Sequence, residues 1–408
     1  MSKNVIVIGG GASGMVASIA AARNRHNVTV FEKNEKLGKK VLLTGNGRCN
    51  LTNVNISWQN YFGAHPKFTA SVLAKFSNKD TMKFFEELGL VLIEEDNGRI
   101  FPRSNQAQSV IDILEEELER LKVEIKYNQK IKSLGKTNKE FEVTTYQGKS
   151  YQCDKLIIAT GGKTYPKTGS TGDGYRFAVS FGHKIVLPFP VSTPFRIKSI
   201  VCNKLQGIKV NARLKVIYNN KVIADNTGEV LFTHLGISAP AVLESSREVS
   251  KILSKDQKAQ ISCSINLFPE YSNDQLRSLL LKKIKNHPDR KFSSQFIGML
   301  PKKVAPTILK YSNIDPEVKS KDVSRTLLHQ VVLLLTDYRL QIIGVLGWDI
   351  AQFTAGGVDT NELNSQTMES KLVPGLYFCG EVVDIDGQSG GYNLQWAWSS
   401  GWVSGSTC

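Results

Sequence analysis

Gly9, Gly11 and Gly14 stand in the spacing G-x-G-x-x-G, and a carboxylate, Glu32, follows eighteen residues after the last of them. Around a dinucleotide each has a use. One glycine allows a tight turn, one lets the backbone approach a pyrophosphate, and one lets a helix close on a strand. The helix that begins at Ala12 and Ser13 offers unpaired N–H groups and the positive end of its dipole to the phosphates. Glu32 can accept hydrogen bonds from an adenosine ribose.

Three further glycine-rich stretches ask for a bulkier ligand than a nicotinamide dinucleotide. They are "TGNGRCN" from Thr44, "ATGGKTYPKTGSTGDG" from Ala159, and "CGEVVDIDGQSGGYNL" from Cys379. FAD, whose ribityl chain and isoalloxazine must also be held, accounts for them. In the last stretch Glu381 could accept from a ribityl hydroxyl. Gly390, Gly391 and the helix behind them could donate N–H groups to the N1/C2-carbonyl edge of the flavin, which favours its reduced, anionic form.

Candidates for proton or charge transfer are few. His234, in "LFTHLGIS", is expected to open a helix and could act as acid or base. Arg48 could neutralise reduced flavin or orient an anionic substrate. Tyr165 and Tyr392 could stack on or hydrogen-bond to ring or substrate, and both also suit plain packing. Cys49 adjoins the flavin loop but is expected to be a buried, inert thiol. Trp396, Trp398 and Trp402 are expected to be packing residues of the final helix.

These residues need a frame. Val5–Ile8 reads as a strand buried on both faces, Ala12–Arg25 as a helix and Val28–Phe31 as a second strand, together a βαβ unit. Helices are expected at 68–76, 79–88 and 106–121, the last with Val110, Ile113, Leu114, Leu118 and Leu121 on one stripe. Antiparallel strands are expected at 140–146 and 149–153, and buried strands at Leu156–Ala159 and Gly375–Cys379. From Val191 alternating runs around an Asn219-Asn220 turn suggest a β meander, followed by helices at 274–285 and 320–335. The expected fold class is therefore α/β: a Rossmann-type FAD-binding domain formed by 1–190 and 356–408, into which a β-rich and helical domain, 191–355, is inserted and roofs the flavin.

The 408 residues carry 52 Lys and Arg against 37 Asp and Glu, a net charge of +15. Most of that excess lies in 191–355, with 24 basic against 13 acidic residues. Nine basic residues face one acid, Asp289, between Arg277 and Lys310. No nucleic-acid motif accompanies the run, so a solvated basic face is expected rather than a nucleic-acid partner. The six cysteines form no C-x-x-C and the six histidines no cluster, so neither dithiol exchange nor a metal site is expected. No apolar run is long enough to span a membrane, and a cytoplasmic location is expected. The sequence says nothing about oligomeric state.

Taken together, "GGGASG", "EKNEKLGKKVLLTGNGRCNLTN", "ATGGKTYPKTGSTGDGY", "TGEVLFTHLGISAPAVLESS", "TAGGV" and "VPGLYFCGEVVDIDGQSGGYNLQWAWSSG" resemble the bacterial NAD(P)/FAD-dependent oxidoreductases. That family includes BaiN-like bile-acid reductases and aminoacetone-oxidase-like members. The resemblance covers nearly the whole chain and implies a glutathione-reductase-type FAD domain with an insertion. It implies cofactor contacts from Ser13, Glu32, Lys33, Lys40, Thr44, Gly45, Asn46, Gly47, Arg48, the backbone near Ile131, Thr160, Gly161, Gly162, Gly380, Glu381, Asp384, Gly391, Tyr392, Asn393 and Leu394. Ala239 stands where many relatives carry glycine, a departure expected to alter a turn rather than the chemistry.

The expected chemistry is hydride transfer between flavin N5 and a small organic substrate, with NAD(P)H as a transient donor, because no second G-x-G-x-x-G follows a strand. An amine oxidase releasing peroxide is the alternative. A flavin-bound protein that holds an anionic macromolecule through its basic insertion is a third reading.

Overall fold

Val5, Ile6, Val7 and Ile8 present side chains to both faces of a sheet, and both faces are covered. In the computed structural model, which describes residues 2–137 and 139–408, they form strand β1 (Asn4–Ile8). Helix α1 (Ala12–Arg23) and strand β2 (Asn27–Phe31) complete the first βαβ unit. Beside them lie β3 (Glu124–Lys126), β4 (Lys155–Ile158) and β5 (Leu376–Phe378). The five strands are all parallel, in the order β5-β4-β1-β2-β3. Such a sheet needs cover on both sides, which is why its strands read as continuous apolar runs.

The chain divides into two compact units, one of residues 1–190 and 352–408, the other Val191–Ala351. The fully buried strand Phe353–Val358 belongs to the first, so that crossing falls at 351/352. In this unit α1 packs along the final helix, α2 (Tyr392–Thr407). Small residues permit the approach: a Cβ at Gly401 would meet the carbonyl oxygen of Ser13, and one at Gly405 that of Ala17. Both helices are mostly buried and carry almost no charge, and the buried polar residues of α2, Gln395, Ser399, Ser400 and Ser404, are hydrogen-bonded. The helix Ala107–Arg120 presents Val110, Ile111, Leu114 and Leu118 to the same core. A separate antiparallel sheet joins Ile131–Lys136, Phe141–Thr145 and Ser150–Cys153.

The second unit holds a closed barrel that the sequence showed only as a meander. Its strands run Phe195–Ile197, Gly236–Ser238, Lys221–Thr233, Lys209–Tyr218, Ile261–Asn266 and Tyr338–Val345, the last pairing with the first. The long hairpin turns through Asn219 and Asn220, with φ of 48° and 58°. Consecutive left-handed residues are what a two-residue hairpin turn requires, and asparagine tolerates them. Helices Pro240–Lys255, Asn273–Asn286, Val304–Tyr311 and Arg325–Thr336 belong to this unit and share its core. His234 does not open a helix: it lies exposed in the turn between Lys221–Thr233 and Gly236–Ser238, and the helix starts at Pro240. Between them Ala239 has φ 83° and ψ 171°. That region of backbone space is almost reserved for glycine, which is the turn the departure affects.

Candidate active site

The three glycines of the first turn separate by role. Gly9 has φ 105°, and a Cβ there would sit 2.6 Å from the Ala159 carbonyl oxygen at the end of β4. At Gly14 it would fall 1.9 Å from the Gly9 carbonyl oxygen, so helix and strand are as close as glycine permits. At Gly11 it would meet nothing within 4 Å. Gly11 caps α1 without any side-chain acceptor, leaving N–H groups of the first turn open to an anion. An open backbone approach at a helix N-terminus is what a pyrophosphate needs.

Glu32, buried at the end of β2, is tied to the chain itself. Its Oε2 accepts the Gly10 N–H at 2.7 Å, and Oε1 accepts the backbone and side-chain N–H groups of Asn34 at 2.8 and 2.7 Å. The carboxylate therefore fixes the glycine turn and keeps spare lone pairs for a ribose. Lys33 points elsewhere, to Thr171 and Asp173. Ile131 starts a strand of the antiparallel sheet and is buried.

Gly380, after β5, stands against α1: a Cβ would clash with the Ser13 hydroxyl. Glu381 follows, held on every side. Its Oε1 accepts the Thr354 N–H at 2.6 Å and the Thr164 hydroxyl at 3.2 Å, while Oε2 accepts the Lys40 ammonium at 2.6 Å. Lys40 also donates to Thr164 Oγ1 at 2.7 Å. Gly162 brings the "TGG" turn against this group, since a Cβ there would lie 3.1 Å from the Glu381 carboxyl carbon. The Thr160 hydroxyl is buried with no hydrogen-bond partner and packs against Gly174, where a Cβ would come within 2.1 Å of it. Thr164, Thr354 and Asn34 were not singled out from sequence; Thr354 opens "TAGGV", where the motif was visible but not its use.

The "TGNGR" segment forms a 3-10 turn with left-handed Gly45 and Asn46, both at φ 57°. Thr44 closes it by donating to Val41. Gly47 has φ 83°. Arg48 forks onto Glu95 at 2.8 and 3.1 Å and lies over the Phe101 ring at 4.1 Å. Its guanidinium is thus committed to fixing the loop. Cys49 is fully buried, and desolvation pushes its thiol up to about 12.

Gly390 and Gly391, at φ 115° and 105°, turn the chain into α2. The Thr52 backbone lies where a Gly391 Cβ would go, and Asn53 donates to the Gly390 carbonyl at 3.0 Å. As at α1, no side chain caps this helix, so the N–H groups of its first turn, around Tyr392, Asn393 and Leu394, lack a side-chain acceptor. Asn393 uses its amide to brace Gly387, and Tyr392 is buried, its carbonyl accepting the Tyr61 hydroxyl. Asp384, also buried, accepts the Ala64 N–H at 2.8 Å. Tyr165, half-buried with φ 53°, has its phenol raised by burial, as does Tyr392. At the carboxyl ends of the parallel sheet stand the uncapped start of α1 and the Lys40–Glu381 pair, and the uncapped start of α2 lies further along the same helix pair, a donor set that fits FAD. Bound there, FAD would supply two-electron hydride chemistry. Among the described residues no three His, Cys, Asp or Glu groups could hold a metal, and no helix is long and apolar enough to cross a membrane.

A model of the HI0933-like protein Rossmann domain matches residues 3–407. The chain belongs to this family. HI0933-like proteins are Rossmann flavoproteins, and the chain is an FAD-dependent oxidoreductase by class. It is 36% identical to the 3-dehydro-bile acid delta(4,6)-reductase of Clostridium scindens, over 98% of this chain and 97% of that one. It is 35% identical to the ribosomal RNA dihydrouridine synthase of Escherichia coli, over 98% and 96%. Among solved structures, the 3-ketosteroid delta1-dehydrogenase of Sterolibacterium denitrificans shares the fold, with a TM-score of 0.51 at 14% identity over 99% and 98% of the two chains.

Proposed function

We propose that this HI0933-like flavoprotein reduces a carbon–carbon double bond conjugated to a carbonyl, with NAD(P)H as the reductant. In balance, the donor's hydride goes to the β carbon, a proton goes to the α carbon, and NAD(P)⁺ and the saturated product leave. The observation that carries this reading is the uncapped start of α1 beside Thr160 and Gly380, followed by the Lys40–Glu381 pair, a cradle for a dinucleotide with no dithiol to relay electrons. All six cysteines are free and buried. The two kinds of relative support it chemically: a 4,6-diene beside a 3-oxo group and the 5,6 bond of uridine are both alkenes polarised by a carbonyl. Tyr165 and Tyr392, in the same unit as the glycine turns, are the candidate proton donors; Arg48 positions the loop.

One observation favours a nucleobase in RNA as the acceptor. Residues 191–351 hold 24 Lys and Arg against 13 Asp and Glu, a net +11 of the chain's +15, and Lys282, Lys285, Arg290, Lys302, Lys303 and Lys310 are exposed. From sequence alone a solvated face was the better account; the relatives named for ribosomal RNA support reading that charge as a surface for RNA.

The test is anaerobic mixing of the yellow protein with NADH or NADPH, followed by a 3-oxo-4,6-diene steroid, free uridine, or ribosomal RNA transcribed in vitro. Bleaching by a nicotinamide and recovery of colour with one acceptor is expected, with dihydrouridine in the RNA if the second reading holds. Bleaching only by aminoacetone, with peroxide in air, would overturn the reductase.

A further inference from the structure

We propose that Lys40 and Glu381 form a built-in charge pair that sets the reduction potential of the bound flavin, Lys40 supplying the cation and Glu381 limiting its strength. This rests on the FAD reading above. A free carboxylate after β5 would be an acceptor for a ribityl hydroxyl. Glu381 is not free: the Thr354 N–H, the Thr164 hydroxyl and the Lys40 ammonium already occupy it. It serves as an anchor, and what it anchors is Lys40. Glu381 and Thr164 take two of its three ammonium hydrogens, and the side chain stays partly exposed. The two side chains are 22% and 19% exposed, so their charges act through a medium less polarisable than water.

Position supports the role. Gly380 rests on Ser13, at the first turn of α1, so the pair follows directly on the pyrophosphate cradle. Gly380 is also bonded to α2, whose Ser400 hydroxyl accepts its N–H and whose Trp396 donates to its carbonyl. A dinucleotide running from the N-terminus of α1 toward that of α2 passes this point. Reduction adds negative charge to the ring, which a nearby cation favours and a nearby carboxylate opposes.

The experiment measures the flavin midpoint potential against reference dyes, with FAD affinity alongside, for the wild type, Lys40→Met, Lys40→Arg, Glu381→Gln and the Lys40→Met/Glu381→Gln double variant. A lower potential for Lys40→Met, a near-native one for Lys40→Arg, a higher one for Glu381→Gln and an intermediate one for the double variant are expected. A purely structural pair would change affinity or stability without shifts of opposite sign. If FAD binds and Lys40→Met keeps the native potential, the pair is not the tuning device, while the cofactor reading stands. Should Lys40→Met lose FAD, Glu381→Gln decides, a rise supporting the proposal and no rise overturning it. If the wild type takes up no FAD, both readings fall.

Discussion

Replacing Gly11 and Gly14 by alanine, one at a time, separates fold from ligand within a single turn. Gly11 has φ −81° and ψ −172°, which alanine adopts without strain, and a Cβ there touches nothing within 4 Å. Alanine is a poorer N-cap than glycine by about 0.5–1 kcal/mol. It also has fewer unfolded conformations, which returns about 0.4–1 kcal/mol. The stability of Gly11→Ala should therefore stay within about 0.5 kcal/mol of native. FAD affinity should fall at least tenfold, about 1.4 kcal/mol, because the methyl group takes the space a pyrophosphate needs. Gly14→Ala should do the reverse. Alanine gains about 1 kcal/mol of helix propensity. Against that, a Cβ 1.9 Å from the Gly9 carbonyl forces helix and strand apart. Overpacking costs up to about 3 kcal/mol, so a net loss of roughly 2 kcal/mol is expected. Urea unfolding of the apoprotein and titration with FAD give the two readouts. A Gly11→Ala variant with native FAD affinity, or a Gly14→Ala variant with native stability, would refute the assignment of roles.

Three further outcomes are expected. Buried His183 lies between Glu362, 3.0 Å from Nδ1, and the Ser370 hydroxyl, 2.8 Å from Nε2, and desolvation lowers its pKa from 6.5 against the opposing pull of Glu362. The unfolded chain then takes up its proton first as pH falls, so stability should be level above 6.5 and decline below it, and urea midpoints of His183→Gln should lose that part of the slope. Ala239→Gly should raise stability by about 1 kcal/mol, since removing a strained non-glycine conformation returns 1–3 kcal/mol and the freer unfolded chain takes back about 0.4–1; thermal unfolding measures it, and a loss of stability would show Ala239 to be unstrained. All six thiols should resist a disulfide reagent in the native protein and react fully in denaturant, because burial raises Cys49 and Cys153 to about 12 and Cys379 to about 11.

What could be read from the sequence was what local chemistry dictates. The β1–α1–β2 unit was legible because a strand buried on both faces is apolar throughout and a pyrophosphate turn has fixed glycine positions. The long hairpin was legible because the Asn219-Asn220 turn and the alternating burial of Lys209–Tyr218 are local. Barrel closure was not, since it depends on three-residue strands, Phe195–Ile197 and Gly236–Ser238, too short to show a period, and on pairing between Phe195–Ile197 and Tyr338–Val345. His234 was misplaced for a related reason. A short β turn followed by Ala239-Pro240 looks from sequence like the approach to a helix, and only the pairing of Gly236–Ser238 with Phe195–Ile197 shows that a strand intervenes.

The carboxylates illustrate a subtler limit. An acid at the carboxyl end of a strand, beside a glycine-rich turn, reads as a hydrogen-bond acceptor for the ligand, and Glu32 and Glu381 both satisfy that pattern. In the fold each is first an acceptor for the chain: Glu32 for Gly10 and Asn34, Glu381 for Thr354, Thr164 and Lys40. The partners are far apart in sequence for Glu381, so no spacing could reveal them. The effect is to fix the two glycine turns before a ligand arrives, which lowers the ordering cost of binding. On the FAD reading proposed above, what remains to meet the cofactor is mostly donors, chief among them the N–H groups at the uncapped starts of α1 and α2. If the proposed cradle holds, a site built from internal carboxylates and donors suits a ligand that is negatively charged along its middle and gains negative charge at its ring, which is the electrostatic profile of FAD on reduction.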